Sequence, residues 1–275
     1  MLASLFREIR AVWRLSCVAW LILRGTIMVR FFFPYWSEAL RRSLKQSWSR
    51  RLVSVLGVKI DACEATLPAS TLIVSNHISW LDVFIINAIS PTTFVCKDEV
   101  KEWPGIGGLV EYSGTLFIAR GSRTAAARSA QAMAARLSGE ERVVVFPEGT
   151  TTQGTTMLPF RAALFQAAID AQVPVQPACL RYRDAQGNIS LAPAYDGDIT
   201  FGQCILAIVR TSGIRADLKF LAPLPASHSR RDLARLSETA IASELGLNLD
   251  PGALVVDAED RPEDAALPVE EPRAA

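Results

Sequence analysis

Two short runs constrain the fold more than anything else in the chain: Leu72-Ile73-Val74-Ser75 and Val143-Val144-Val145-Phe146. Each is almost wholly apolar, and each stops abruptly at a polar loop. Such runs suit short strands buried on both faces, as in a parallel sheet covered by helices. The rest of the chain alternates around them. Helices are expected over residues 80–88, 123–137, 162–171, 203–210 and 231–245; the second is Ala-rich and stopped by Gly139. Further strands are expected over 52–60, 94–96, 115–118, 173–179 and 217–221, with a strand pair around 189–195. Pro174 and Pro177 put the 173–179 strand at a sheet edge or end. This alternation makes an α/β fold, a mixed and largely parallel sheet flanked by helices. A chain of 275 residues readily buries a core for it.

The net charge of +1 conceals a sorting along the chain. Residues 1–51 carry nine Arg and one Lys against two Glu, whereas residues 250–275 carry eight acids and two Arg. The basic residues interleave with Trp, Phe and Leu, which suits an anionic membrane surface; a nucleic-acid partner would call for polar neighbours instead. Arg14, Arg24 and Arg30 interrupt the apolar runs and no cleavage site follows, so a secretory leader is not expected. Within residues 1–51 the longest charge-free stretch, residues 15–23, is shorter than the roughly 20 apolar residues a bilayer span takes. On a helix, Arg7, Arg10, Arg14 and Arg24 share one arc, with Leu5, Ile9, Val12, Ala19 and Leu23 opposite. That predicts an amphipathic membrane-associating helix lying in the interface, with Arg toward phosphates and Trp13, Trp20 and Trp36 at headgroup depth. A helix packed on the protein's own core and a tilted span with snorkelling Arg are the alternatives. The expected organisation is a membrane-associating segment at 1–51, the α/β domain at 52–249 and a disordered acidic tail at 250–275. Five widely spaced cysteines without a C-x-x-C pair fit a reducing compartment and argue against a disulfide framework or a zinc site. Cys96 or Cys179 as a catalytic thiol is the rival to a buried small hydrophobe.

The polar loops after the apolar runs carry the chemistry. One of only two histidines, His77, stands in Ser75-Asn76-His77-Ile78-Ser79-Trp80-Leu81-Asp82. Imidazole is a fitting base for a hydroxyl near neutral pH, and a carboxylate is the partner that fixes its tautomer. His and Asp five apart meet if His77 is in the loop and Asp82 in the first helical turn. Ser79-x-x-Asp82 is equally a capping-box pattern. Gly114-Thr115-Leu116-Phe117-Ile118-Ala119-Arg120 delivers an Arg at the end of a strand, and Lys97 follows another; either suits a phosphate or plain solvent. Phe146-Pro147-Glu148-Gly149-Thr150-Thr151-Thr152 sets a carboxylate, a Gly and three hydroxyls in one loop, and Leu158-Pro159-Phe160-Arg161 brings another Arg to a helix start. His228 lies in a polar loop and is expected to be exposed.

In combination and order, N-H-x-x-x-x-D, G-x-x-F-I-x-R, F-P-E-G-T and V-P-V-x-P resemble the glycerolipid acyltransferase family, over residues 72–177. That family comprises the 1-acylglycerol-3-phosphate O-acyltransferases and their lysophospholipid and lyso-ornithine-lipid relatives. The resemblance implies an acyltransferase domain with His77 as general base and Asp82 as its orienting partner. Asn76, Lys97, Arg120, Glu148, Gly149, Thr150 and Arg161 would bind the acceptor lysolipid, Arg120 at its phosphate. The donor would be an acyl thioester of coenzyme A or acyl carrier protein, with no bound cofactor and no metal. The expected place is the cytoplasmic face of the inner cell membrane, against anionic lipids. The sequence departs from the phosphatidic acid branch at Thr151, where Arg is usual. The expected acceptor is 1-acylglycerol 3-phosphate, with lyso-ornithine lipid or another lysophospholipid as the rival. A noncatalytic membrane adaptor would be marked by a lost His or Asp, and a hydrolase by a G-x-S-x-G elbow; neither mark is present.

Overall fold

The sheet is built from β1 (Val58–Ala62), β2 (Thr71–Ser75), β3 (Thr93–Lys97), β4 (Leu116–Ile118), β5 (Arg142–Val145), β6 (Val175–Arg183) and β7 (Ile214–Phe220). Their order is β1-β7-β6-β2-β5-β3-β4. Only β6 and β7 run antiparallel; every other pair is parallel. The computed structural model describes residues 2–63, 67–102, 107–118 and 123–249, so the acidic segment at 250–275 lies outside the described residues.

The continuous apolar runs are explained by burial on both faces. Ile73 and Val144 point into one layer with α2 (Glu38–Leu56), α3 (Asp82–Ile89) and α7 (Phe201–Arg210). Leu72, Val74, Val143 and Val145 point into the other, with α5 (Arg123–Ser138), α6 (Gln166–Asp170) and α8 (Arg230–Leu245). The 30-residue α1 (Leu2–Phe31) lies across α2 and α7 and also touches the short α4 (Gly107–Tyr112).

Three expectations about elements change. The apolar stretch at 52–60 is not one strand: Leu52, Val53 and Leu56 are the buried face at the end of α2, and β1 begins only at Val58. Gly57 ends the helix with φ at 81°, and Arg14 crosses so close that a Cβ there would clash with its guanidinium. Around 189–195 the chain makes turns, with one bridge from Arg183 to Ile189 in place of a strand pair. The β6 strand is central instead of an edge, flanked by β2 and β7. A proline is tolerated there because the β6–β7 ladder starts one residue later, at Ala178 opposite Phe220. Pro177 still accepts from Leu221 N at 2.8 Å, and the Gln176 side-chain amide donates to the Leu221 carbonyl. Gln176 thus supplies the donor that proline lacks.

The N-terminal segment is helical, as expected, but part of its arginine arc faces inward. Arg10 donates to Arg210 O at 3.0 Å; Arg14 donates to Val209 O at 3.0 Å and Thr211 O at 3.1 Å. These are the orphan carbonyls at the end of α7, where cations are favoured. Ala11, Val18, Leu21 and Val29 are buried on the same side, and Gly25 lets Trp48 of α2 approach. The opposite side exposes Leu5, Phe6, Ile9, Val12, Trp13, Trp20, Leu23 and Ile27. Trp36 is half-buried against Val29, Phe33 and Leu109, not at an open surface. The segment Ser4–Phe31 is long and apolar enough to cross a membrane by length and composition, because the helix runs unbroken past its arginines.

Candidate active site

Outside the carboxyl ends of adjacent parallel strands is where open α/β sheets hold ligands, and here β2 and β5 deliver two polar loops to one such place. Backbone bonds stitch the loops together. His77 N donates to Glu148 Oε1 at 2.8 Å, and Thr152 N donates to His77 O at 2.9 Å. Phe146 at the end of β5 stacks on the His77 ring, 3.9 Å between centroids and 13° between planes.

Asp82 is the first residue of α3 and is fully buried. Its Oδ2 lies 2.9 Å from His77 Nδ1 and accepts from Ile78 N at 2.7 Å and Ser79 N at 2.9 Å. Its Oδ1 accepts from the Tyr182 hydroxyl at 2.7 Å. Burial, and then the Asp82 charge, push the Tyr182 hydroxyl well above its ordinary range, so it stays a donor. Only half of the capping box forms: Asp82 Oδ2 accepts from Ser79 N, but Ser79 Oγ accepts from Leu81 N instead of Asp82 N. One carboxylate oxygen thus meets both the imidazole and the loop backbone. The ring's other nitrogen, Nε2, belongs to a side chain that is 19 % exposed, the accessible end of an otherwise immobilised pair.

Glu148 is buried, and its two oxygens are split between loops: Oε1 on His77 N, Oε2 on Leu158 N at 2.8 Å. Burial raises its carboxyl to about 7, offset in part by those two backbone donors. Gly149 has φ at 76°, and a Cβ there would lie 2.8–3.1 Å from the Nε, Cζ and Nη2 of Arg161. Arg161 is exposed and its guanidinium lies across the Gly149 backbone. Thr150 is exposed beside it, while the Thr151 hydroxyl donates to Tyr195 O. Tyr195 N in turn donates to Ile78 O at 2.9 Å, which straps the 191–195 turn onto the His77 loop.

Of the residues singled out from the sequence, His77, Asp82, Glu148, Gly149, Thr150 and Arg161 converge. Asn76 does not present its amide to the open site. It is buried, and it donates to Leu180 O at 3.0 Å and accepts from Leu180 N at 2.9 Å, tying the loop to β6. Lys97 closes β3, paired in register with Ile118 of β4, which sets its backbone at the same end of the sheet; its side chain and Arg120 lie outside the described residues. Cys179 is buried and its thiol is pushed up to about 11 by that burial, the state of a small hydrophobe and not a nucleophile. His228 is exposed. Sequence reasoning missed Tyr182, one hundred residues from Asp82, and Phe146 as the ring under His77. The strand expected over 173–179 stops short of Tyr182, and only the observed β6 reaches it.

The sequence model of the Acyltransferase family matches residues 62–181, a span that holds His77, Asp82 and Glu148 and stops one residue short of Tyr182. A 1-acyl-sn-glycerol-3-phosphate acyltransferase of Neisseria meningitidis serogroup B is 32 % identical over 251 residues, covering 90 % of this chain and 97 % of the relative. A lyso-ornithine lipid O-acyltransferase of Pseudomonas aeruginosa is 32 % identical over 228 residues, covering 82 % and 86 %. The crystal structure of the 1-acyl-sn-glycerophosphate acyltransferase PlsC from Thermotoga maritima shares the fold, with a TM-score of 0.60 over 87 % of this chain and 96 % of that one at 18 % identity.

Proposed function

The chain belongs to the Acyltransferase family, and we propose that it moves a fatty acyl group from an acyl thioester to the free hydroxyl of 1-acylglycerol 3-phosphate, giving phosphatidic acid. The donor is the thioester of coenzyme A or of acyl carrier protein. The observation that carries the reading is the 2.9 Å bond between His77 Nδ1 and a fully buried Asp82 carboxylate, with Nε2 left to face a substrate. In the proposed step Nε2 takes the proton of the acceptor hydroxyl as its oxygen bonds to the thioester carbonyl carbon. Asp82 holds Nδ1–H and stabilises the imidazolium that forms. Collapse of the tetrahedral intermediate breaks the C–S bond, and the imidazolium returns its proton to the leaving thiolate. Atoms and charge balance without a cofactor.

Arg161 over Gly149, with Lys97 and Arg120, would grip the anionic headgroup, which favours a phosphate because it offers more acceptor oxygens than a carboxylate. A lyso-ornithine lipid is the second reading. It is favoured by Thr151, whose hydroxyl is spent on Tyr195 where the phosphatidic acid branch has Arg, and by the similarity to the Pseudomonas relative. Both readings put the enzyme on the cytoplasmic face of the cell membrane, its acceptor arriving from the lipid phase beside α1.

A lipid-product assay on the membrane fraction, with lysophosphatidate, lyso-ornithine lipid and monoacylglycerol offered against both thioesters, tests this reading. Phosphatidic acid is the expected product. Acylation of lyso-ornithine lipid alone would change the acceptor and keep the chemistry. Thioester turnover that needs no lysolipid would replace the transferase reading with a hydrolase.

A further inference from the structure

Residues 158–161 carry Arg161 to the site, and each of their backbone N–H groups has an identified fate. Leu158 N donates to Glu148 Oε2 at 2.8 Å, Pro159 has none, and Arg161 N donates to Pro147 O at 3.0 Å. The remaining one, Phe160 N, donates to Glu238 Oε2 at 2.8 Å. Glu238 sits in the middle of α8, only 5 % exposed, far beyond residues 62–181 and outside all four motifs. A carboxylate is an unusual helix-interior choice at that depth, since desolvation opposes its charge, and a backbone donor is what makes the burial tolerable. Its neighbours on α8, Leu233, Ala234 and Ile241, are core residues that share a cluster with Phe160. One face of α8 thus holds both the side chain and the amide of Phe160.

The consequence falls on the next residue. Arg161 has its backbone fixed on one side by Pro147 and on the other by Phe160, and its guanidinium must thread the space left by the missing side chain of Gly149. We propose that Glu238 is a positioning residue: by holding Phe160 N it sets Arg161 over Gly149, and so governs how tightly the site grips the anionic headgroup of the acceptor. The proposal rests on the reading of Arg161 given above. Glu238 touches no substrate; it acts through the 158–161 segment.

The experiment compares steady-state kinetics of the full chain in vesicles carrying lysophosphatidate, lyso-ornithine lipid or uncharged monoacylglycerol, for wild type, Glu238→Ala, Glu238→Gln, Arg161→Ala and the Glu238→Ala/Arg161→Ala double variant. Loss of the hydrogen bond should raise KM for the anionic acceptor that is used by about tenfold with kcat nearly unchanged. KM for monoacylglycerol and for the thioester should stay put. Glu238→Gln keeps an acceptor oxygen for Phe160 N and should restore most of the loss. The double variant should be no worse than Arg161→Ala, because both act on one contact. If Glu238→Ala does not fold, Glu238→Asp, which withdraws the carboxylate by one methylene, should show the same selective rise in KM. Wild-type KM in Arg161→Ala removes the premise and the proposal with it. An effect of Arg161→Ala with none from Glu238→Ala overturns the positioning role alone. So does a Glu238→Ala loss that is equal for charged and uncharged acceptors, or that adds in full to Arg161→Ala.

Discussion

Replacing Asp82 by Asn separates the charge of this side chain from its geometry. Three donors converge on Oδ2 (His77 Nδ1, Ile78 N and Ser79 N) and one, the Tyr182 hydroxyl, on Oδ1. An asparagine must turn its oxygen toward the three, because two of them are backbone N–H groups that cannot become acceptors. Its amide nitrogen then meets Tyr182, whose hydroxyl can accept. The substitution therefore keeps the imidazole tautomer and most of the local hydrogen bonding, and removes only the negative charge. A charge facing an imidazolium about 4 Å away is worth about 4 kcal/mol at an effective dielectric constant of about 20. About two thirds of that, lost in the transition state, lowers the rate roughly 10²-fold. The expected outcome is a fall in kcat of about 10² to 10³, with a cost to folding of about 1–3 kcal/mol for the weakened hydrogen bonds of a buried charged group. Acyl transfer per milligram of folded protein, measured beside a thermal melt by circular dichroism, resolves the two effects. A folded Asp82→Asn enzyme with activity within threefold of wild type would refute the electrostatic role and leave Asp82 as a loop anchor.

His77→Ala should lower turnover by about 10² to 10⁴ while the melting temperature moves only a few degrees, and residual activity near wild type would remove it as the base. Glu148 is held near 7 against an unfolded value near 4.5, so the folded state keeps an extra proton; its favourable contribution is complete below about pH 4.5 and disappears as pH rises through about 7. Glu148→Gln should accordingly flatten the fall in melting temperature between pH 5 and 8, and an unchanged slope would show that the carboxyl is ionised throughout. Changing Trp13, Trp20 and Leu23 together to Gln should weaken co-sedimentation with anionic vesicles, because each buried large side chain is worth about 1.5–3 kcal/mol of transfer, without lowering the melting temperature of the detergent-solubilised protein. Undiminished vesicle binding would show that this exposed face is not what meets the membrane.

The layers of this fold and the central pair of its candidate site follow from short-range patterns along the chain. Unbroken apolar runs such as Leu72–Val74 and Val143–Val145 have no polar face to offer solvent, so helices had to cover the sheet on both sides. A histidine and an aspartate five apart across a strand-to-helix turn had the spacing to meet, and they do. What lay beyond reach was anything set by neighbours distant in the chain. The stretch ending α2 reads as β-rich from its own residues, and only packing of Leu52, Val53 and Leu56 makes it helical. Two prolines marked β6 as an edge until Gln176 and the start of the β7 ladder provided for them. Periodicity put four arginines of α1 on one arc, but a helical wheel has no outside; the carbonyls of α7, two hundred residues on, decide that Arg10 and Arg14 turn inward. Tyr182 behind Asp82 and Glu238 behind Arg161 are likewise partners that strand order and helix docking bring together, because hydrogen bonds depend on distance in space and local patterns record only distance along the chain.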